Sequence, residues 1–171
     1  MKNLLLLIVD FSRKACYNII EKRDDNMATV FDTARYILEK QGEMSTMKLQ
    51  KLCYYCQAWA LVWDDKPLFD EEFHAWENGP VCKELFYKTQ GKFSVKAEDE
   101  PGDSSKLSIE QKESIDIALE HYAPHNAQWL SQLTHMEEPW KIARAKTPAG
   151  EIPDVIISKE SMAMYYGGLQ A

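Results

Sequence analysis

The sequence predicts a mainly α, compact single-domain helical bundle around a buried central helix, with a small β-hairpin element. Three observations carry this prediction. Residues 45–63 (STMKLQKLCYYCQAWALVW) form the longest stretch with a helical hydrophobic period and no breaker. Helix-capping signals recur ahead of apolar-periodic segments, at Thr29 with Asp32, at Ser108 with Gln111 and at Ser158. Against these, only the stretch LFDEEFHAWENGP alternates with period two, at Phe73 and Ala75.

In the central segment Leu49, Leu52, Cys53, Cys56, Ala60 and Leu61 share one helical face, while Tyr55, Trp59, Val62 and Trp63 carry apolar character onto a second. A helix apolar over most of its circumference belongs in the middle of a small protein. Lys48, Gln50, Lys51 and Gln57 are expected to keep a narrow polar side, and Ser45 or Thr46 to cap the first turn. Ahead of it, Thr29 to Asp32 opens a helix whose inner face is Val30, Ala34, Ile37 and Leu38, closed by Gly42. After it, Asp64-Asp65-Lys66-Pro67 turns the chain. The alternating stretch reads as a strand, half of a hairpin with residues 67–69 and closed by Gly79-Pro80. Pro80 suits a first helical position, so a helix is expected from Pro80 to about Thr89, with Val81, Leu85 and Phe86 inward.

Residues 92–107 hold Pro101-Gly102, three serines and no helical period, and read as a loop or insertion. A helix then runs to Tyr122, with Ile115, Ala118, Leu119 and Tyr122 inward, and Pro124 ends it. Asn126 caps a short helix through Leu133, an irregular joint follows at residues 134–138, and helix restarts at Pro139. Residues 147–153 read as loop and residues 155–157 as a short strand or plug. Ser158 caps a last helix through Tyr166, with a frayed tail over residues 167–171. Residues 1–26 (MKNLLLLIVDF, then EKRDDN) stand apart as an appendage: either an overextended start with Met27 as the true initiator, or a short extra helix or strand. The apolar run is well short of the ~20 residues that span a bilayer, and no cleavage pattern follows it.

A chain of 171 residues, 45% hydrophobic, with five Trp and eight Tyr, has ample material for one core. Its net charge is −7, and residues 27–171 carry 15 Lys/Arg against 23 Asp/Glu. Sequence-independent binding to nucleic acid draws its affinity from cations neutralising phosphates, so this balance argues against it. The four cysteines, at 16, 53, 56 and 82, read as reduced core residues of a cytoplasmic protein.

Candidate chemistry is sparse. Cys53-Tyr-Tyr-Cys56 with His121-Tyr-Ala-Pro-His125 imitates a two-Cys, two-His zinc site, but 64 residues separate the halves where about 12–15 are usual. Buried structural cysteines are the better reading. His135 beside Glu137 offers a general acid–base pair; a structural joint fits better, with Thr134 capping, His135 tying backbone carbonyls, Glu137 binding free amides ahead of Pro139 and Trp140 plugging the core. Glu71, Glu72 and Glu77 can meet a basic partner. Most of Trp59, Trp63, Trp76, Trp129 and Trp140 should be core, although aromatics also mark interaction surfaces. No Gly-rich phosphate loop, GxSxG elbow or HExxH is present. No catalytic centre, metal or cofactor is expected.

Three motifs in order, LQKLCYYCQAW (residues 49–59), AWENGPV (75–81) and LTHMEEPW (133–140), make the chain resemble the Panacea antitoxin domain, the group that includes the SocA antitoxin and phage-associated GepA proteins. The resemblance runs over residues 27–166. The signature positions it marks are Leu49, Lys51, Leu52, Tyr55, Gln57 and Trp59; Trp76, Gly79, Pro80 and Val81; and Thr134, His135, Glu137, Pro139 and Trp140. It implies a non-enzymatic, cytoplasmic protein that neutralises a cognate toxin by direct contact. In the SocA type it implies, in addition, an adaptor that delivers the toxin to the ClpXP protease. No membrane partner is expected. Two other classes compete: a small hydrolase or transferase using His135 and Glu137, and a DNA-binding autorepressor, which the acidic charge disfavours.

Overall fold

The computed structural model describes residues 27–148, 151 and 154–170; the expectations for the appendage and for most of residues 149–153 lie outside them. Helix α1 (Val30–Gln41) is capped by a reciprocal box in which Thr29 accepts from the Asp32 amide and Asp32 accepts from the Thr29 amide. Val30, Ala34, Ile37 and Leu38 are buried, and Gly42, at φ +79°, closes the helix as expected. A two-residue strand β1 (Met44–Ser45) leads into α2 (Thr46–Trp63), the predicted central helix, with Ser45 as its cap. Of its 18 residues, eleven are buried. Helices α4 (Ile109–Tyr122) and α7 (Lys159–Gly168) pack most extensively against it, with α1 and α5 (Ala127–Met136) completing the shell.

The polar side expected on α2 is not a solvent face. Gln50, Lys51 and Gln57 are at most 4% exposed, and Lys48 donates to the Ala123 carbonyl at 2.7 Å. The core aromatics also differ from expectation: Tyr54, Tyr55, Tyr166, Phe69 and Phe73 are fully enclosed, whereas no tryptophan is. Trp59, Trp63 and Trp140 lie against the core with one edge outward, and Trp129 is exposed. A phenol fits inside when its hydroxyl has a partner, and the interior supplies one.

The hairpin exists with another partner. Strand β2 (Phe73–Trp76) pairs antiparallel with β3 (Gly79–Cys82) in the register Phe73↔Cys82 to Trp76↔Gly79, and on its other side with β5 (Ile156–Ile157). Residues 67–69 instead lie along α2. Pro80 therefore sits in a strand, not at a helix start, and α3 (Lys83–Thr89) begins three residues later. Strand order β3-β2-β5 puts Pro80 on an edge, where a missing N–H is tolerated.

Residues 92–107 hold no α-helix, as expected of a loop, and form a strap tied to the rest of the fold. Strand β4 (Ser94–Val95) pairs with β1, the Thr46 amide donates to the Phe93 carbonyl, and Val95 and Leu107 are buried. Farther along, the Asp103 amide donates to Asp32 at 2.7 Å, and Gly102 lies flat on the Phe31 peptide, where any Cβ would collide. Helix α4 has its Ser108–Gln111 box and buries the four predicted residues. Helix α5 continues to Met136, so the expected joint at residues 134–138 shrinks to Glu137 alone. Helix α6 (Glu138–Ala145) follows at once, with Pro139 one place inside its start. The last helix runs to Gly168 rather than fraying at Gly167. Among the described residues, no helix is long and apolar enough to cross a membrane.

Candidate functional site

Two glutamines on α2 act as substitute peptide groups. The Gln50 amide donates to the Cys82 carbonyl at 3.0 Å and accepts from the Cys82 amide at 2.8 Å. Gln57 donates to the Phe69 carbonyl at 2.8 Å and accepts from the Leu68 amide at 2.7 Å. Each therefore satisfies backbone that has no ladder partner, and a buried amide is tolerated only when both ends are paired. These bonds seat strand β3 and the turn after α2 on the central helix.

Between the glutamines lies Lys51, 1% exposed, whose Nζ donates to the Pro80 carbonyl at 2.9 Å. Burial alone depresses its pKa to about 7. Gly79 stands beside it at φ +99°; a Cβ there would lie 2.7 Å from the Thr134 hydroxyl oxygen and 2.9 Å from Lys51 Cε. One signature residue from each of the three motifs meets at this point. Around it, Ser131 donates to the Asn78 carbonyl at 2.8 Å, Trp140 Nε1 to the Trp76 carbonyl at 3.0 Å, and Thr134 to the Ser131 carbonyl.

The second junction is Glu137. Its Oε2 accepts from Tyr55 at 3.0 Å and from Tyr166 at 2.7 Å, so it binds phenols and not the backbone amides expected of it. Tyr55 stacks on Tyr122 with ring centres 3.9 Å apart, and Trp59 donates to the Tyr122 hydroxyl at 2.9 Å. Burial raises the Glu137 pKa to about 7 even though both phenol bonds favour the carboxylate. His135 lies elsewhere, its ring 4.2 Å from that of Trp140 and its Nε2 buried with no hydrogen-bond partner among the described residues. Burial also lowers the His135 pKa. Among the described residues no hydrogen bond joins His135 to Glu137, so the acid–base pair suggested by their spacing is not assembled.

Other candidates fall into structural places. Cys53, Cys56 and Cys82 are free and buried, and burial pushes their thiols up, away from the thiolate that metal or redox chemistry uses. Glu71 accepts from the Val30 amide at the start of α1, and Glu72 pairs with Lys159 at 2.8 Å, which leaves Glu77 as the uncommitted member of that acidic set. Leu49 and Leu52 are core, and Pro139 is buried in the first turn of α6.

One surface feature adjoins the three-motif junction, and motif reading did not foresee it. A cleft of about 450 Å³ is walled chiefly by Thr46, Met47, Trp76, Val81, Phe86 and Thr89, and Lys51 contributes to its lining. Two of its lining residues touch exposed neighbours: the Thr46 amide donates to the Phe93 carbonyl, and Tyr87 stacks edge-on against Phe86. The only sequence signal for it is a lysine set among apolar neighbours on α2.

Residues 49–141 match the family model described as antitoxin SocA-like, Panacea domain. The match opens on the first residue of the first motif and closes just past the third, and it spans more than half of the chain. The chain belongs to this antitoxin-like family, a membership that suggests a toxin–antitoxin role without enzymatic activity. No curated protein and no solved structure matches the chain significantly.

Proposed function

We propose that this protein is an antitoxin that neutralises, by direct binding in the cytoplasm, a toxin encoded beside it. The family match over residues 49–141 carries the reading. The geometry is consistent with it: pairs of signature residues, Lys51 with Pro80, Tyr55 with Glu137 and Trp140 with Trp76, tie the elements together, and Lys51, Trp76 and Val81 also line a cleft open to a partner. The neutralising unit is residues 27–166, and the acidic balance of that region disfavours DNA as the target. Delivery of the toxin to ClpXP is the finer version, implied by the resemblance to the SocA type.

A host lacking ClpP separates the versions. The toxin is expressed there with and without this protein. Growth restored as fully as in a ClpP-containing host is the expected result for neutralisation by binding. Rescue that vanishes without ClpP makes the protein an adaptor. No rescue in either host sinks both.

A further inference from the structure

We propose that the cleft lined by Lys51 is where a partly apolar segment of the toxin docks, placing an Asp or Glu side chain against the Lys51 amine; this rests on the antitoxin reading above. Protonated, the Lys51 amine offers three donors and uses one, on the Pro80 carbonyl. Among the described residues no carboxylate stands within ion-pair distance of it. A cation left without a counter-charge in an apolar wall is costly, and a carboxylate arriving with the partner supplies what the fold withholds. Neighbouring groups suit the same occupant: the Thr46 hydroxyl and the Asn78 side-chain amide line the cleft, and neither makes a hydrogen bond among the described residues.

The apolar walls, with Met47, Trp76, Val81 and Phe86, call for apolar side chains flanking that carboxylate. Glu77 opposes the incoming charge from the lining, so the site carries its own test of sign.

The full chain, labelled with ¹³C at lysine Cε, is titrated with 3-phenylpropionate and with its amide, 3-phenylpropionamide. K51M identifies the Lys51 signal. The carboxylate is expected to move that signal and the amide to leave it in place; equal responses, or none, overturn the proposal. Affinity for the toxin is then measured with N78D and E77Q, which change charge at exposed positions and leave the interior alone. N78D should weaken binding about fivefold or more and E77Q tighten it about two- to fivefold. Toxin affinity unchanged in both variants reduces the cleft to a small-carboxylate site and overturns the docking claim. If the wild type fails to bind the toxin at all, the antitoxin reading falls, and the titration still decides whether Lys51 receives a carboxylate.

Discussion

Gln50, Lys51 and Gln57 sit on the most apolar of the described helices, and each has turned a polar group to internal use. Their periodicity looks like a solvent stripe, because a sequence shows that a residue is polar but not that a strand or turn will lie over it. Truncating Gln57 to alanine strands the Leu68 amide and the Phe69 carbonyl, so Q57A should cost about 2–4 kcal/mol, read by urea denaturation. Glu137 and Lys51 give the protein an unusual response to pH. The Glu137 pKa is raised from 4.5 to about 7, so its contribution to stability is intact below pH 4.5 and is lost as pH rises to 7. E137Q should therefore gain on the wild type between pH 5 and pH 8, by up to about 3 kcal/mol. Lys51 acts in the other direction: its pKa is depressed from 10.5 to about 7, so the cost of its charge is present below pH 7 and is relieved toward pH 10.5. Any advantage of K51M over the wild type should accordingly shrink above pH 7. Together the two groups place their combined minimum of stability near neutrality. Denaturation curves from pH 5 to pH 10 on both variants check the pair; parallel curves for wild type and E137Q would remove Glu137 from the account.

At the scale of elements, the helix starts were the most legible feature. Thr29, Ser45, Ser108, Asn126 and Ser158 all cap as their side chains require, because capping is settled by a few neighbouring residues. The hairpin was legible only in half. Gly79-Pro80 resembles the end of a strand and the start of a helix, and nothing local says that an edge position awaits Pro80. Gly79 now explains itself: at φ +99° it brings β3 against both Lys51 and Thr134. G79A adds a strained backbone to a clash with two side chains, and should cost about 3 kcal/mol or more. A thermal melt of G79A indistinguishable from wild type would show that the three-motif junction tolerates separation. The strap was legible as irregular chain but its anchoring was not, because its contacts run to α1 and β1, some 50 to 70 residues earlier in the chain, through Ser94, Gly102 and Asp103.

For the molecule as a whole, the mainly α class, the central helix and the family were all readable before any coordinates, since each rests on periodicity or on motifs in order. The candidate site was not, because the cleft exists only where residues from α2, the β2–β3 hairpin and α3 converge. The motifs turn out to hold those elements together, with Lys51 and Thr134 both set against Gly79 and Tyr55 bonded to Glu137. The proposed partner binding is then assigned to the surface that this framework positions. The most direct measurement expresses the neighbouring reading frame alone and together with this protein, scoring growth and co-purification. The account predicts a product that arrests growth alone, is tolerated in the pair, and is recovered in complex with this chain. A harmless neighbour that does not co-purify would contradict it.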